Sequence, residues 1–161
     1  MNRTSLIAGV VAIALCAAAG PAFAGPAEDA FLAKLVGSWT GGGSIKGGVN
    51  GAMTCTLKFR ATSAGVHYSG NCDVEDVGGQ SFSGDLSYSD KTHQYQAVSV
   101  GGDVVVGVKH GGGVSFVGRL HGLAGTGTST MTVTANRISI DTALVDSQSN
   151  KPSKSLVTFS K

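Results

Sequence analysis

The sequence predicts an all-β protein: an up-and-down antiparallel β-barrel of about ten strands with a short N-terminal helix, a two-sheet β-sandwich being the alternative. Three observations carry this. From residue 37 onward the chain is a series of short segments in which apolar and polar residues alternate, each ended by glycine-rich or polar turn residues. Sequential hairpins without long crossovers close naturally into a barrel, and closure removes exposed strand edges. The third is a hairpin at residues 52–74 whose register is specified twice over.

In that hairpin Met53, Cys55, Leu57, Phe59 and Ala61 point one way on the first limb, and Val66, Tyr68, Gly70, Cys72 and Val74 on the second. Successive strand side chains point to opposite faces, so each limb has one apolar and one polar side. With a turn at Ser63-Ala64-Gly65, a Cys55–Cys72 disulfide sets Phe59 opposite Tyr68 and Ala61 opposite Val66. A slip of one residue would mix the faces, so bond and pattern demand the same register by separate arguments.

The other elements follow the same logic. Residues 28–36 form the one convincing helix: Pro26 precedes it, Glu28 and Asp29 lie in its first turn, Lys34 near its end, and Gly37 stops it. Phe31, Leu32, Leu35 and Val36 give it an apolar face, which must dock because so short a helix is unstable alone. A first strand runs over residues 37–45. Residues 80–88 and 93–100 flank Ser89-Asp90-Lys91-Thr92, which places Phe82, Leu86 and Tyr88 opposite Ser99, Tyr95 and His93. Residues 104–110 and 114–120 flank Gly111-Gly112-Gly113, a spacing that sets Val104, Val106 and Val108 beside Leu120, Gly118 and Phe116. Residues 126–134 pair with 138–145, bringing Met131 and Val133 to Ile140 and Ile138, and residues 154–160 form the last strand. Each turn length brings two apolar faces together.

Residues 1–24 read as a cleaved signal peptide: Arg3 supplies the charge, residues 6–19 the apolar run, and Ala22-Phe23-Ala24 the small-x-small site. Residues 25–161 are then a single barrel domain, periplasmic or secreted, where two cysteines form a disulfide. Losing the leader removes Arg3 from 12 Lys and Arg and leaves all 10 Asp and Glu, so the mature chain is nearly neutral. No basic stripe recommends a nucleic-acid partner and no second long apolar run recommends a membrane span, while the sequence does not identify a protein partner. A lipid-embedded barrel would need an apolar outer band and aromatic girdles, and the chain is poor in aromatics.

No motif of nucleophilic, metal or phosphate chemistry is present, so neither an enzyme nor a cofactor is expected. Gly41-Gly42-Gly43 and Gly111-Gly112-Gly113 lack the helix start that makes a phosphate cradle. His67, His93, His110 and His121 do not converge, and Asp73, Glu75 and Asp76 have no calcium-loop spacing.

Leu35-Val36-Gly37-Ser38-Trp39 resembles the start of the calycin superfamily, the lipocalins and their bacterial lipocalin-like relatives, in which a short helix leads into Gly-x-Trp on the first strand. Residues 88–95 resemble a mid-barrel turn of bacterial lipocalin-like domains of unknown function. The resemblance implies structural roles for Gly37 and Trp39. The lipocalin Thr-Asp-Tyr turn is absent, and the final strand lacks the arginine that commonly stacks on the tryptophan, leaving Lys154 or Lys161 to substitute. The haem-binding branch is not carried over, since no histidine lies beyond His121.

The expectation is therefore an exported lipocalin-like binding module for a small hydrophobic or amphipathic molecule, its site lined by Met53, Leu57, Phe59, Tyr68, Phe82, Leu86, Tyr95 and Phe116. Inward Gly70, Gly84, Ala97, Ser99 and Gly118 are expected to leave space beside them. The competing expectation is an envelope structural or interaction protein with a packed barrel and no ligand.

Overall fold

The computed structural model describes residues 25–122, 125–147 and 149–161; the expected signal peptide lies outside them. Helix α1 (Pro26–Leu35) leads into ten antiparallel strands: β1 (Gly37–Gly47), β2 (Gly51–Thr62), β3 (Gly65–Val74), β4 (Gly78–Ser89), β5 (Gln94–Ser99), β6 (Val104–His110), β7 (Gly113–Gly122), β8 (Gly125–Thr134), β9 (Ile138–Asp146) and β10 (Pro152–Ser160). Each strand pairs with its sequence neighbours, and β10 pairs with β1 to close the ring. The barrel is chosen over the sandwich.

α1 is one residue shorter at its C-terminus than expected, because Val36 has left helical geometry. Pro26 needs no amide partner in the first turn, and Glu28 N–H reaches the Gly25 carbonyl at 2.9 Å. The cysteine hairpin has the expected register, with Cys55 opposite Cys72, Phe59 opposite Tyr68 and Ala61 opposite Val66. Its turn is tighter than expected, since Gly65 already pairs with Thr62. The Cys55–Cys72 disulfide closes a sequence separation of 17, a loop that contributes about 3 kcal/mol. Met131 and Val133 pair with Ile140 and Ile138 as expected.

Two hairpins differ from expectation. In β4–β5 Tyr88 pairs with Tyr95 and Leu86 with Ala97, a shift of two residues. His93 takes φ 54 inside the turn instead of joining the strand. A two-residue shift preserves parity, so Leu86 and Tyr95 still face inward. In β6–β7 the shift is one residue, and the faces exchange. His110 pairs with Gly113, so only Gly111 and Gly112 form the turn, with Gly111 at φ 55 as a two-residue hairpin loop requires. Val105 and Gly107 face inward, while Val104, Val106 and Val108 lie outside at 58%, 41% and 54% exposure.

Interior packing explains that register. Gly107 stands directly opposite Phe116, whose ring occupies the space a Cβ would need. The same arrangement recurs at Gly41 with Phe159, Gly70 with Phe82 and Gly84 with Tyr68. At all four glycines an added Cβ would come within 3.0 Å of the ring. Aromatic rings thus cover neighbouring glycines, a device that pins strand register. Gly70 and Gly84 accordingly do not leave the empty space expected of them.

The register is testable by urea denaturation. Gly107→Val should cost about 1–3 kcal/mol by overpacking, whereas Val106→Thr should stay within about 0.5 kcal/mol of the parent, as exposed substitutions do. The reverse order of effects would restore the register shifted by one.

A barrel closed at one end

The candidate site is the barrel interior, and its shape is set first by what closes one end. α1 lies across the end formed by the start of β1, the β10 terminus and the β2–β3, β4–β5, β6–β7 and β8–β9 turns. Leu32 and Leu35 are buried beneath it, and Phe31 meets Tyr95 edge-on at 5.4 Å. Trp39, 1% exposed, donates from Nε1 to the Leu35 carbonyl at 2.8 Å and packs edge-on against Phe59. That bond satisfies a carbonyl in the last turn of α1 that the helix itself leaves open. Lys161 Nζ lies 5.1 Å from the Trp39 ring centroid. It also donates to the Lys34 and Val36 carbonyls at the helix C-terminus, where a cation is favoured. Lys161 therefore occupies the place of the missing arginine. On the far side of the helix, Lys109 of β6 pairs with Glu28 at 3.2 Å.

Away from this plug the interior opens. Near α1 the inward residues are fully buried, among them Phe59, Val66, Leu86, Tyr95, Val114, Phe116, Val133, Ile138 and Phe159. Towards the other end Ile45, Met53, Phe82, Val105, Met131, Ile140 and Leu144 are only half-buried, although alternation turns them inward. Ser99, Ser129, Thr142 and Ser155 share this middle and open portion. From the Ser129–Thr142–Ser155 level to Met131 and Ile140 the inward strand positions carry no charge; the charged residue of inward parity in this half is Asp146, in the Gly125–Asp146 pair at the strand ends.

All eight residues expected to line the site face inward, but they divide. Leu57, Phe59, Leu86, Tyr95 and Phe116 are part of the packed core, while Met53, Tyr68 and Phe82 are half-buried against it. The open half also uses Val105, Met131 and Ile140, which the expected set omitted. Met131 opposite Ile140 was already legible in the β8–β9 pairing. Val105 was hidden by the one-residue slip of β6.

Two tyrosines sense the burial. Tyr68 is raised above its ordinary value, first by burial and then by Asp85, which accepts or shares a hydrogen with His67 Nδ1 at 2.9 Å. Burial, and then Glu28, Tyr88 and Asp29, push Tyr95 up to about 12. Two concavities are also present. An open groove of about 950 Å³ at β1–β4 is lined by outward residues such as Ser38, Thr56, Lys58, Ser69 and Asn71 and also by Trp39, Leu57, Gly70, Phe82 and Ser99, which have inward parity. A pocket of about 210 Å³ sits between α1 and the β6–β7 turn. Among the described residues no three His, Cys, Asp or Glu side chains group as metal ligands, and no helix is long and apolar enough to cross a membrane.

Known proteins share this architecture without close sequence similarity. No family model matches the chain, and no curated protein matches it. Among solved structures it is similar to the S-type phycobiliprotein lyase CPES from Guillardia theta, at 12% identity and TM-score 0.59, over 81% of this chain and 89% of that one. It is also similar to Rv2717c from M. tuberculosis, at 15% identity and TM-score 0.56, over 84% and 97% of the two chains. What the chain shares with these two structures is the fold, here a closed ten-stranded antiparallel barrel with one short helix.

Trp39→Ala should cost about 3–5 kcal/mol, as truncating a buried aromatic does. Lys161→Met should cost about 0.5–1 kcal/mol for the lost cation–π contact, and Lys161→Arg should restore it; chemical denaturation reads both. Tyr95 gives a pH test. Its folded value is raised, so its contribution is intact below the unfolded value near 10.0 and is lost as pH climbs towards about 12. Thermal melts across that window should fall more steeply for the parent than for Tyr95→Phe; equal slopes would contradict the buried placement.

Proposed function

We propose that this chain is an exported lipocalin-like binding protein that holds a small hydrophobic or amphipathic molecule inside the barrel, admitted at the end opposite α1. The observation that carries this is the change in burial along inward positions: sealed beneath the helix, half-accessible at Met53, Phe82, Val105, Met131, Ile140 and Leu144, while Ser153 at the far end is buried and accepts from Val49 N–H. An apolar, concave and largely pre-formed interior is the usual character of a small-molecule site, and barrels of eight strands already hold one small ligand. No residue is nominated as nucleophile or base, so the role is binding rather than catalysis, with no cofactor. One structural neighbour is named a phycobiliprotein lyase, which is compatible with a small-molecule role for such barrels. Export rests on the reading of residues 1–24 and is supported by the disulfide, a bond that persists in oxidising compartments.

A second reading has its own observation. Val98, Val104, Val106 and Val117 lie together on the outer face of β5–β7, with Val104 and Val117 58% and 65% exposed. An exposed apolar patch of this kind suits an interaction protein whose outer wall is the working surface.

Nile red titration separates the two. The parent should bind the dye saturably, and Met131→Trp, which fills the interior, should weaken binding at least tenfold while the melting temperature stays within a few degrees. Val106→Trp on the outer wall should leave binding unchanged. Dye binding lost with Val106→Trp and kept with Met131→Trp would favour the outer surface instead.

A further inference from the structure

The inner wall of the open half is not uniformly apolar. Ser129 on β8 stands opposite Thr142 on β9, and Thr142 stands opposite Ser155 on β10, so three hydroxyls form one row across three neighbouring strands. Their parity is fixed by the residues two places on: Met131, Ile140 and Val157 belong to the interior packing. Ser129 and Thr142 are half-buried and share a hydrogen bond of 3.2 Å. Ser129 lies four residues in from the Gly125–Asp146 pair that begins the hairpin, about 13 Å along the strand. Phe82 projects from β4, half-way round the ring from β9.

We propose that this row is a polar anchor within the interior site, and that the ligand is an uncharged amphipathic molecule whose hydroxyl, carbonyl or ester group is held there while its apolar body lies against Met131, Ile140 and Phe82. The proposal rests on the reading of the interior as the binding site and adds its chemistry. A hydroxyl pair has two donors and four lone pairs. The single Ser129–Thr142 bond uses one donor and one lone pair, so the pair keeps capacity for a guest of either polarity. Alternating Val or Ile would have packed these positions in an ordinary barrel core. Inward polar side chains are informative exceptions to an apolar interior, and these three half-buried ones are contiguous. The inward positions around the row, Met131, Ile140, Leu144, Gly127 and Val157, are uncharged, and the charged residue of inward parity beyond them, Asp146 at the strand ends, is an acid that would not pair an anion. A carboxylate or phosphate carried to this depth would be desolvated without a cation to pair it, whereas a neutral group loses little and gains hydrogen bonds.

The test uses purified disulfide-bonded protein with Nile red as reporter and decan-1-ol, undecane and decanoate as competitors at pH 8. Decan-1-ol should displace the dye at lower concentration than decanoate. Thr142→Val, close in shape, and Ser129→Ala combined with Ser155→Ala should each weaken decan-1-ol about tenfold, the loss of roughly one hydrogen bond's 1.4 kcal/mol. Nile red and undecane should bind these variants as they bind the parent, an outcome that a purely structural role for the hydroxyls would not produce. Variants that bind decan-1-ol as tightly as the parent, or decanoate outcompeting decan-1-ol, would overturn the anchor while leaving the interior site standing. No dye binding in the parent would overturn the interior site itself, and the anchor with it.

Discussion

The bond from Trp39 Nε1 to the Leu35 carbonyl is where the helix, the first strand and the last residue of the chain are fastened together. Both partners are buried, at 1% and 0% exposure, and a donor or acceptor stranded there would cost about 1–3 kcal/mol. The indole therefore cannot turn outward, and the helix cannot drift without exposing Leu32 and Leu35. Lys161 adds a charge over the ring and caps the helix carbonyls from outside. β10, which carries Lys161 at its end, is also the strand that closes the ring onto β1. Closing the sheet and plugging one of its ends are thus coupled through a few residues.

With α1 across that side, the half-buried inward residues among those described lie towards the other side. Glycines do not create the space. Gly41, Gly70, Gly84 and Gly107 are each covered by a facing ring, so they tighten the wall rather than hollow it. The accessible portion begins where Met131, Ile140 and Met53 take over from the tightly packed Val133, Ile138 and Phe59 of the same strands. Flexible thioethers at two of these three positions suit a surface that adapts to a guest.

Much of this was legible in the sequence, and the reasons differ by element. The β2–β3 register was doubly determined, by Cys55 and Cys72 and by strict alternation, and it is found as expected. The β6–β7 register was not, because three consecutive glycines conceal which of them turn and which pair. Val104 to Val108 offered no help, since valine occupies both faces of that strand at 104, 105, 106 and 108. Only the contact of Phe116 with Gly107, a pairing across strands, decides it. In β4–β5 the polar run from Ser89 to His93 could not announce that His93 adopts positive φ. The lining was half legible: Met53, Tyr68 and Phe82 stand out as large apolar residues, while Ser129, Thr142 and Ser155 read as ordinary strand polarity until pairing put them in one inner row.

The central claim is a barrel sealed beneath α1 and accessible from the opposite end. Methyl-resolved NMR with an apolar paramagnetic probe in solution tests it most directly, because line broadening reports how closely the probe approaches each methyl. The account predicts strong broadening at Met53, Met131 and Ile140, with Leu86, Val133 and Ile138 spared. Broadening that is equal in the two sets, or stronger at Leu86, Val133 and Ile138, would contradict it.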